Sequence, residues 1–435
     1  MTDVQIGYAG IAVLFALIAL RAPIGVALIS VSFGGIWLLV GERAAWGTLG
    51  IVPYEFAASW QLSSIPMFLL MGFFCFHAGL TKGLFDAARV WLARLPGGLA
   101  VAAVFGSAGF AAVTGSSIAC AAAMGRIAVP EMMRHRYDPG LATGTVAAAG
   151  TIGALIPPSI LMILFGIIAQ VPISQLFLGG ASAGILTAFS YVAVIMIRAK
   201  LRPELAPRVD EVIGWHERFV ALRDTWPVLL LILGVFGGLF SGIFSATEAG
   251  AVGAALAMAI AGIKGSLSFT VVKNALVETL MTSAALFIIA IGASMLARFM
   301  TFSGAGDQFA SLIGGLGADP IVLLIGIAMV YLVLGMFLEP IGAMLLTLPI
   351  FLPIIDTADM NKVWFGVLLA KFLEVGMITP PIGLNVFVIK SVVGDLVSTG
   401  RIFKGIMWFL VADAIVITLL IAFPGIVLTL PQMFN

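Results

Sequence analysis

Along the chain, long apolar runs alternate with short polar segments, and several runs reach the roughly 20 residues that a helix needs to cross a bilayer. Val228 to Ile263 and Ile406 to Leu430 are two of them. In the first half the pattern predicts helices near 5–20 and 24–41, a partly polar arm near 44–60 and a helix near 66–80. A hydrophobic stretch near 97–130, a helix over about 140–170 interrupted at Pro157-Pro158, and a helix near 174–197 follow. The second half predicts elements near 228–241, 244–263, 266–281, 283–300, 320–353, 364–395 and 404–429.

The two lists match because the sequence repeats. Gly153-Ala-Leu-Ile-Pro157-Pro158 resembles Gly376-Met-Ile-Thr-Pro380-Pro381, with the second Pro-Pro pair 223 residues after the first. Pro130 precedes Pro157 by 27 residues, and Pro353 precedes Pro380 by the same 27. The spacing is close to half the chain. It divides the chain into a first repeat (1–200), a cytoplasmic linker (201–225) and a second repeat (226–435).

The stretches 97–130 and 320–353 are too long for one crossing, and each carries polar or helix-breaking residues at its centre. These are Thr114-Gly115-Ser116-Ser117 and Leu338-Glu339-Pro340. Each therefore predicts a re-entrant hairpin whose tip stops inside the membrane. Bare backbone survives there only when protein shields it or a wet cavity borders it.

Charge placement sets the orientation. Arg134 and Arg136 follow the first hairpin and Asp356 and Asp359 the second, so the first is expected to open to the cytoplasm and the second to the opposite face. The repeats are then inverted. Counting crossings places Arg198, Lys200, Arg202, Arg208, Arg218 and Arg223 of the linker inside, with Lys82, Arg89, Arg94, Lys264, Lys273, Arg401 and Lys404. Arg43 and Lys362 fall outside, and both termini are expected outside.

Composition agrees with lipid as the solvent. Hydrophobic residues make up 61% of the 435 positions and charged residues 10%. A net charge of +1 gives no basic surface for nucleic acid. The first apolar run follows Asp3 without a basic segment, so the N-terminus is expected to be retained. Cys75 and Cys120 lie in apolar surroundings, which suits packing residues. His77, His135 and His216 are scattered without ligand spacing.

Inverted repeats with paired interrupted helices characterise secondary transporters, whose broken helices expose N–H groups to anions and carbonyls to cations. One Na⁺ site is expected between the tip Gly115-Ser116 and the break at Thr151 to Pro157, where serine oxygens, carbonyls and glycine allow close approach. The competing reading gives these small residues to helix packing. A second Na⁺ site is expected at Leu338, Thr379, Gly383 and Asn385. A carboxylate substrate is expected between the tips at helix N-termini, against Ser116, Ser117, Pro158, Glu339 and Pro381.

Glu339 has two readings: a ligand for an ion or substrate, or a residue that favours the start of the second hairpin helix. Lys371 and Glu374, three apart on one helix face, are expected to pair structurally. Glu248 and Arg298 suit interfacial anchors. The arms, with Trp46, Tyr54 and Trp60 in one and Lys273 and Glu278 in the other, suit helices lying along the interface.

Gly115-Ser116-Ser117, Leu155-Ile-Pro-Pro-Ser159, Thr247-Glu248-Ala249 and Ile378-Thr-Pro-Pro-Ile-Gly-Leu-Asn385 together resemble the large membrane subunit of tripartite ATP-independent periplasmic (TRAP) transporters, along essentially the whole chain. The resemblance implies an all-α inverted-repeat elevator for Na⁺-driven uptake of an organic acid, such as a C4-dicarboxylate or a sugar acid, across a bacterial inner membrane. It implies a periplasmic substrate-binding protein and a small four-helix membrane subunit as separate partners, Na⁺ as coupling ion and no other cofactor. Its second tip carries Asp as often as Glu, so Glu339 is a mild departure. The residues alone also fit a stand-alone carboxylate or ion exchanger of related architecture. An intramembrane enzyme fits less well, because no Ser-His, paired-aspartate or His-Glu-x-x-His constellation lies in the spans.

Overall fold

A computed structural model describes residues 2–207, 214–306, 308, 311 and 320–434. Among these residues the chain is helical with no strand. Seven helical stretches are long and apolar enough to cross a membrane, or eight if a bent pair (Trp215–Arg223 with Trp226–Phe240) counts as one span. Arg208, counted above among the cytoplasmic charges, lies outside the described residues.

The first half runs α1 (Asp3–Ala19), α2 (Ile24–Val40), α3 (Glu42–Ala57), α4 (Ser64–His77), α5 (Lys82–Leu92), α6 (Gly98–Thr114), α7 (Ser117–Arg134), α8 (Pro139–Gly150), α9 (Ile160–Ala169) and α10 (Ile173–Leu201). After α11 (Trp215–Arg223) come α12 (Trp226–Phe240), α13 (Ala246–Ile263), α14 (Phe269–Ser303), α15 (Pro320–Phe337) and α16 (Pro340–Thr357). The chain closes with α17 (Lys362–Gly376), α18 (Leu384–Val393), α19 (Thr399–Ala422) and α20 (Gly425–Met433). The 223-residue spacing of the Pro-Pro pairs also relates α1 to α12 and α7 to α16, and both Pro-Pro bonds are cis.

Besides α11 in the linker and the splitting of the run expected at 404–429 into α19 and α20, two elements differ from the sequence expectation. The arm and helix expected at 266–281 and 283–300 form one 35-residue helix, α14. The first half breaks there after Ala57, at Ser59 and a tight 3₁₀ turn over Trp60–Ser63, while Pro53 stays inside α3; α14 runs through the corresponding region without a break. Second, the charged segment after α4 forms the amphipathic helix α5, which buries Phe85, Ala87 and Val90.

α6 and α7 fold back on each other as a hairpin, since the Tyr137 hydroxyl accepts from the Leu99 N–H and thereby joins the two far ends. α15 and α16 do the same, with the Thr347 and Tyr331 hydroxyls 2.8 Å apart. α8 and α9, of 12 and 10 residues, are each too short to cross alone, and so are α17 and α18, of 15 and 10.

Small residues let the halves interlock. Gly25 lies against Ile288 and Gly35 against Phe299, so α2 runs parallel to α14. Gly250 and Gly253 lie against Met67 and Met71, which makes α13 parallel to α4. α4 is antiparallel to α14, because His77 meets Glu278 at 3.2 Å while the Phe56 ring, before α4, meets Phe287. α10 and α19, also at corresponding positions, run antiparallel: Arg198 donates to the Gly405 carbonyl and Tyr191 to Asp413.

Candidate functional site

The first tip is shaped by one residue. Gly115 takes φ +60°, a left-handed conformation that costs an L side chain about 1–2 kcal/mol, and a Cβ there would fall on the Pro158 carbonyl oxygen. Ser116 then caps α7, its hydroxyl accepting from the Ala119 N–H at 3.4 Å. Gly153 sits so close to the Ser117 backbone that a Cβ would come within 2.8 Å of it. The tip therefore packs directly on the break at Thr151 to Ser159.

The second tip meets the second break in the same manner. Gly335 of α15 and Gly376 of α17 approach so closely that a Cβ on Gly376 would lie 2.8 Å from the Gly335 Cα. Glu339 occupies the N-cap position of α16 but makes no capping hydrogen bond, and Pro340 at the first helical position has no N–H to offer it. Of its two readings, the N-terminal one is thus confined to the helix dipole.

The two tips border one cavity of about 350 Å³. Gly115, Ser116, Ser117, Glu339 and Glu374 line it, together with Leu69 and Phe73 of α4 and Glu278 and Thr282 of α14. The N-termini of α7 and α16 open at its wall, an arrangement that suits an anion.

The remaining candidates fall into separate places. Pro157 and Pro158 are buried behind the first tip, outside the cavity lining. Thr151 is buried, donating to the Ala148 carbonyl at 2.6 Å and lying 3.1 Å from the Tyr191 hydroxyl. At the second tip Leu338 is half-buried and at the second break Pro381 is exposed, both outside the cavity lining. The Thr379 hydroxyl donates to the Val375 carbonyl at 2.7 Å, and Gly383 turns the chain with φ +61°.

Asn385, expected at the second site, reaches into the first half. Its Nδ2 donates to the Ala147 carbonyl at 3.4 Å, and a Cβ on Gly150 would touch both that amide and the Ser117 carbonyl. Its Oδ1 is buried without a hydrogen-bond partner among the described residues. The cause is the crossing of α18 over α7 and α8, which carries the second break toward the first tip.

The expected Lys371–Glu374 pair does not form. Lys371 instead meets Asp413 of α19 at 2.5 Å, both side chains fully buried, and Tyr191 donates to the same carboxylate at 2.8 and 2.9 Å. Residues three apart share a helix face, yet here Lys371 turns to α19 and Glu374 to the cavity. Asp413 could have been singled out, because it is an acid deep in the apolar run of α19. Glu248 caps α13 with Ser245 in a reciprocal capping box, and Arg298 pairs with Glu55 at 2.7 Å. Among the described residues no cluster of His, Cys, Asp and Glu has metal-ligand geometry.

The described residues, helical throughout, with spans that repeat and two hairpins whose tips share a cavity, define a multi-pass membrane protein. Residues 11–426 match the family model described as the DctM component of the tripartite ATP-independent periplasmic transporters, and the chain belongs to that family. It is 32% identical to the C4-dicarboxylate TRAP transporter large permease protein DctM of Pseudomonas aeruginosa, over 92% of each chain. It is 28% identical to the sialic acid TRAP transporter large permease protein SiaM of Vibrio cholerae, over 86% of this chain and 87% of that one. These relatives are transporter permeases and not enzymes. The fold is also similar to that of the Alcanivorax borkumensis YdaH transporter, with a TM-score of 0.60 at 16% identity over 88% of this chain and 89% of that one.

Proposed function

We propose that the chain is the translocating subunit of a Na⁺-coupled importer of an organic acid in a bacterial inner membrane. A periplasmic substrate-binding protein delivers the acid, and a small four-helix membrane subunit braces the scaffold. The observation that carries this reading is the single cavity at which both hairpin tips and two helix N-termini meet. The relatives' cargoes, a C4-dicarboxylate and sialic acid, are both organic acids.

The hairpins are re-entrant and open to opposite faces. What supports turns inside the membrane is that the polar and helix-breaking residues of both tips, Thr114 to Ser117 and Glu339 with Pro340, border one cavity. The antiparallel packing of α10 against α19 supports inversion of the repeats.

Na⁺ binds where each tip meets its break: Gly115 and Ser116 with Thr151 and Pro157, and Leu338 with Thr379 and Gly383. Asn385 serves the first of these sites, given where its amide lies. Bound cations order the tips, and the acid then docks between Ser116, Ser117 and Glu339. Each ligand offsets part of the ordering entropy that the other would face. The hairpins and broken helices move together as an elevator against a scaffold that includes α4 and α14, since the cavity lies between those two groups.

Uptake into proteoliposomes containing the chain, the small subunit and the binding protein tests the coupling. The expected result is uptake that falls to background when the Na⁺ gradient is dissipated. Uptake that continues unchanged rejects the Na⁺ coupling.

A further inference from the structure

Glu374 is fully buried at the cavity wall, and neither of its carboxylate oxygens has a hydrogen-bond partner among the described residues. The buried Ser117 hydroxyl on α7 lies near enough to act on this carboxyl, yet outside hydrogen-bond geometry with it. The nearest cation is engaged elsewhere, because Lys371 contacts Asp413.

The charged and titratable groups facing Glu374 come from four helices: Lys371 on α17 itself, Asp413 on α19, Tyr191 on α10 and Cys120 on α7. Glu339, Glu278 and Arg126 border the same cavity, and Arg126 is exposed to solvent. Tyr and Cys are ordinarily neutral near pH 7, so the buried set contains one ammonium and two carboxylates. It carries one negative charge too many for a low-dielectric site, where an unpaired carboxylate is neutralised.

We propose that Glu374 binds an exchangeable proton, which makes this cavity a proton site in addition to the cation sites proposed above. A hard metal cation calls for about six oxygens, whereas the cavity that Glu374 borders is lined mostly by apolar side chains, Leu69, Phe73, Phe76 and Met377 among them. A single proton removes the excess charge. It also turns the carboxyl into a donor for the unpaired Ser117 oxygen.

The site has a functional consequence. An organic acid entering the cavity adds negative charge near Glu374 and so raises its affinity for the proton, and by reciprocity the protonated carboxyl favours the acid. The proton then accompanies the substrate. The site itself does not depend on the Na⁺ coupling, and it can be read without transport.

The test is infrared spectroscopy of the purified full chain in lipid nanodiscs, titrated from acidic to alkaline pH. A C=O band of a protonated carboxyl is expected to persist at neutral pH, to shift on exchange into D₂O, and to stay when Na⁺ is added. Glu374→Gln should lose this band and Glu374→Asp should regain it. Should Glu374→Gln fail to fold, Ser117→Ala is expected to shift the wild-type band by removing its acceptor. Absence of the band at neutral pH, its survival in Glu374→Gln, or no shift in Ser117→Ala would overturn the proposal. Loss of the band on adding Na⁺ at constant pH would also overturn it, by assigning the compensating charge to the metal ion.

Discussion

The Lys371 ammonium and the Asp413 carboxylate meet 2.5 Å apart with neither side chain exposed, and this contact ties the helix entering the second break to α19. Tyr191 of α10 donates to the same carboxylate and stands 3.1 Å from Thr151 at the first break, while the ammonium lies 5.6 Å from the Tyr191 ring centre. One buried polar chain thus joins both interrupted helices.

Removing one charge of this pair leaves the other stranded in the interior. Asp413→Asn is expected to destabilise the protein by about 3–5 kcal/mol, read as a lower thermal unfolding midpoint in detergent. The double replacement Lys371→Met with Asp413→Leu should recover most of that loss, because an apolar pair of similar volume needs no compensating charge. A single variant that melts like the wild type would mean that the pair does not hold these helices together.

Gly115 tests the first tip. Gly115→Ala adds about 1–2 kcal/mol for the left-handed conformation, and its Cβ also collides with the Pro158 carbonyl, so tip and break must separate. Uptake is expected to fall at least tenfold, an effect of about 1.4 kcal/mol or more. Gly34→Ala, in α2 with open space around it, should leave uptake unchanged.

Outside the spans, Asp138 links stability to pH. Partial burial works against its charged form, but hydrogen bonds and charge from Arg401, with the Leu141 and Gly140 N–H groups, outweigh it and hold the carboxyl below its usual value of 3.8. A lowered folded-state pKa contributes stability that is present above the unfolded pKa and is lost as pH falls through the folded one. Asp138→Asn is therefore expected to lower the melting midpoint by a constant amount at neutral pH. The difference should shrink toward zero in acid, as melting curves across pH would record.

Much of this molecule is legible without coordinates. The two Pro-Pro pairs mark both interrupted helices, because a residue without an N–H cannot continue a helix and the residue before it is pushed out of helical geometry. Thr114 to Ser117 and Leu338 to Pro340 mark both hairpin turns, at α6–α7 and α15–α16, since polar and helix-breaking residues inside a long apolar run leave the backbone no alternative. The continuity of α14 was not legible, because the first half breaks at a 3₁₀ turn over Trp60–Ser63 and not at its proline, Pro53, which lies inside α3.

Partner choice was not legible. Lys371 and Glu374 share a helix face by spacing, but a face has two edges, and the packing of α19 gave one edge to Asp413, 42 residues from Lys371. Asn385 pairs with Ala147, 238 residues away, because the second broken helix crosses the first hairpin. The sequence alone determined both hairpin turns and both Pro-Pro breaks, since those follow from local hydropathy and backbone chemistry. Only the tertiary structure decided which buried charges are matched and which one, Glu374, faces the cavity unpaired, because that depends on how the interlocked halves pack.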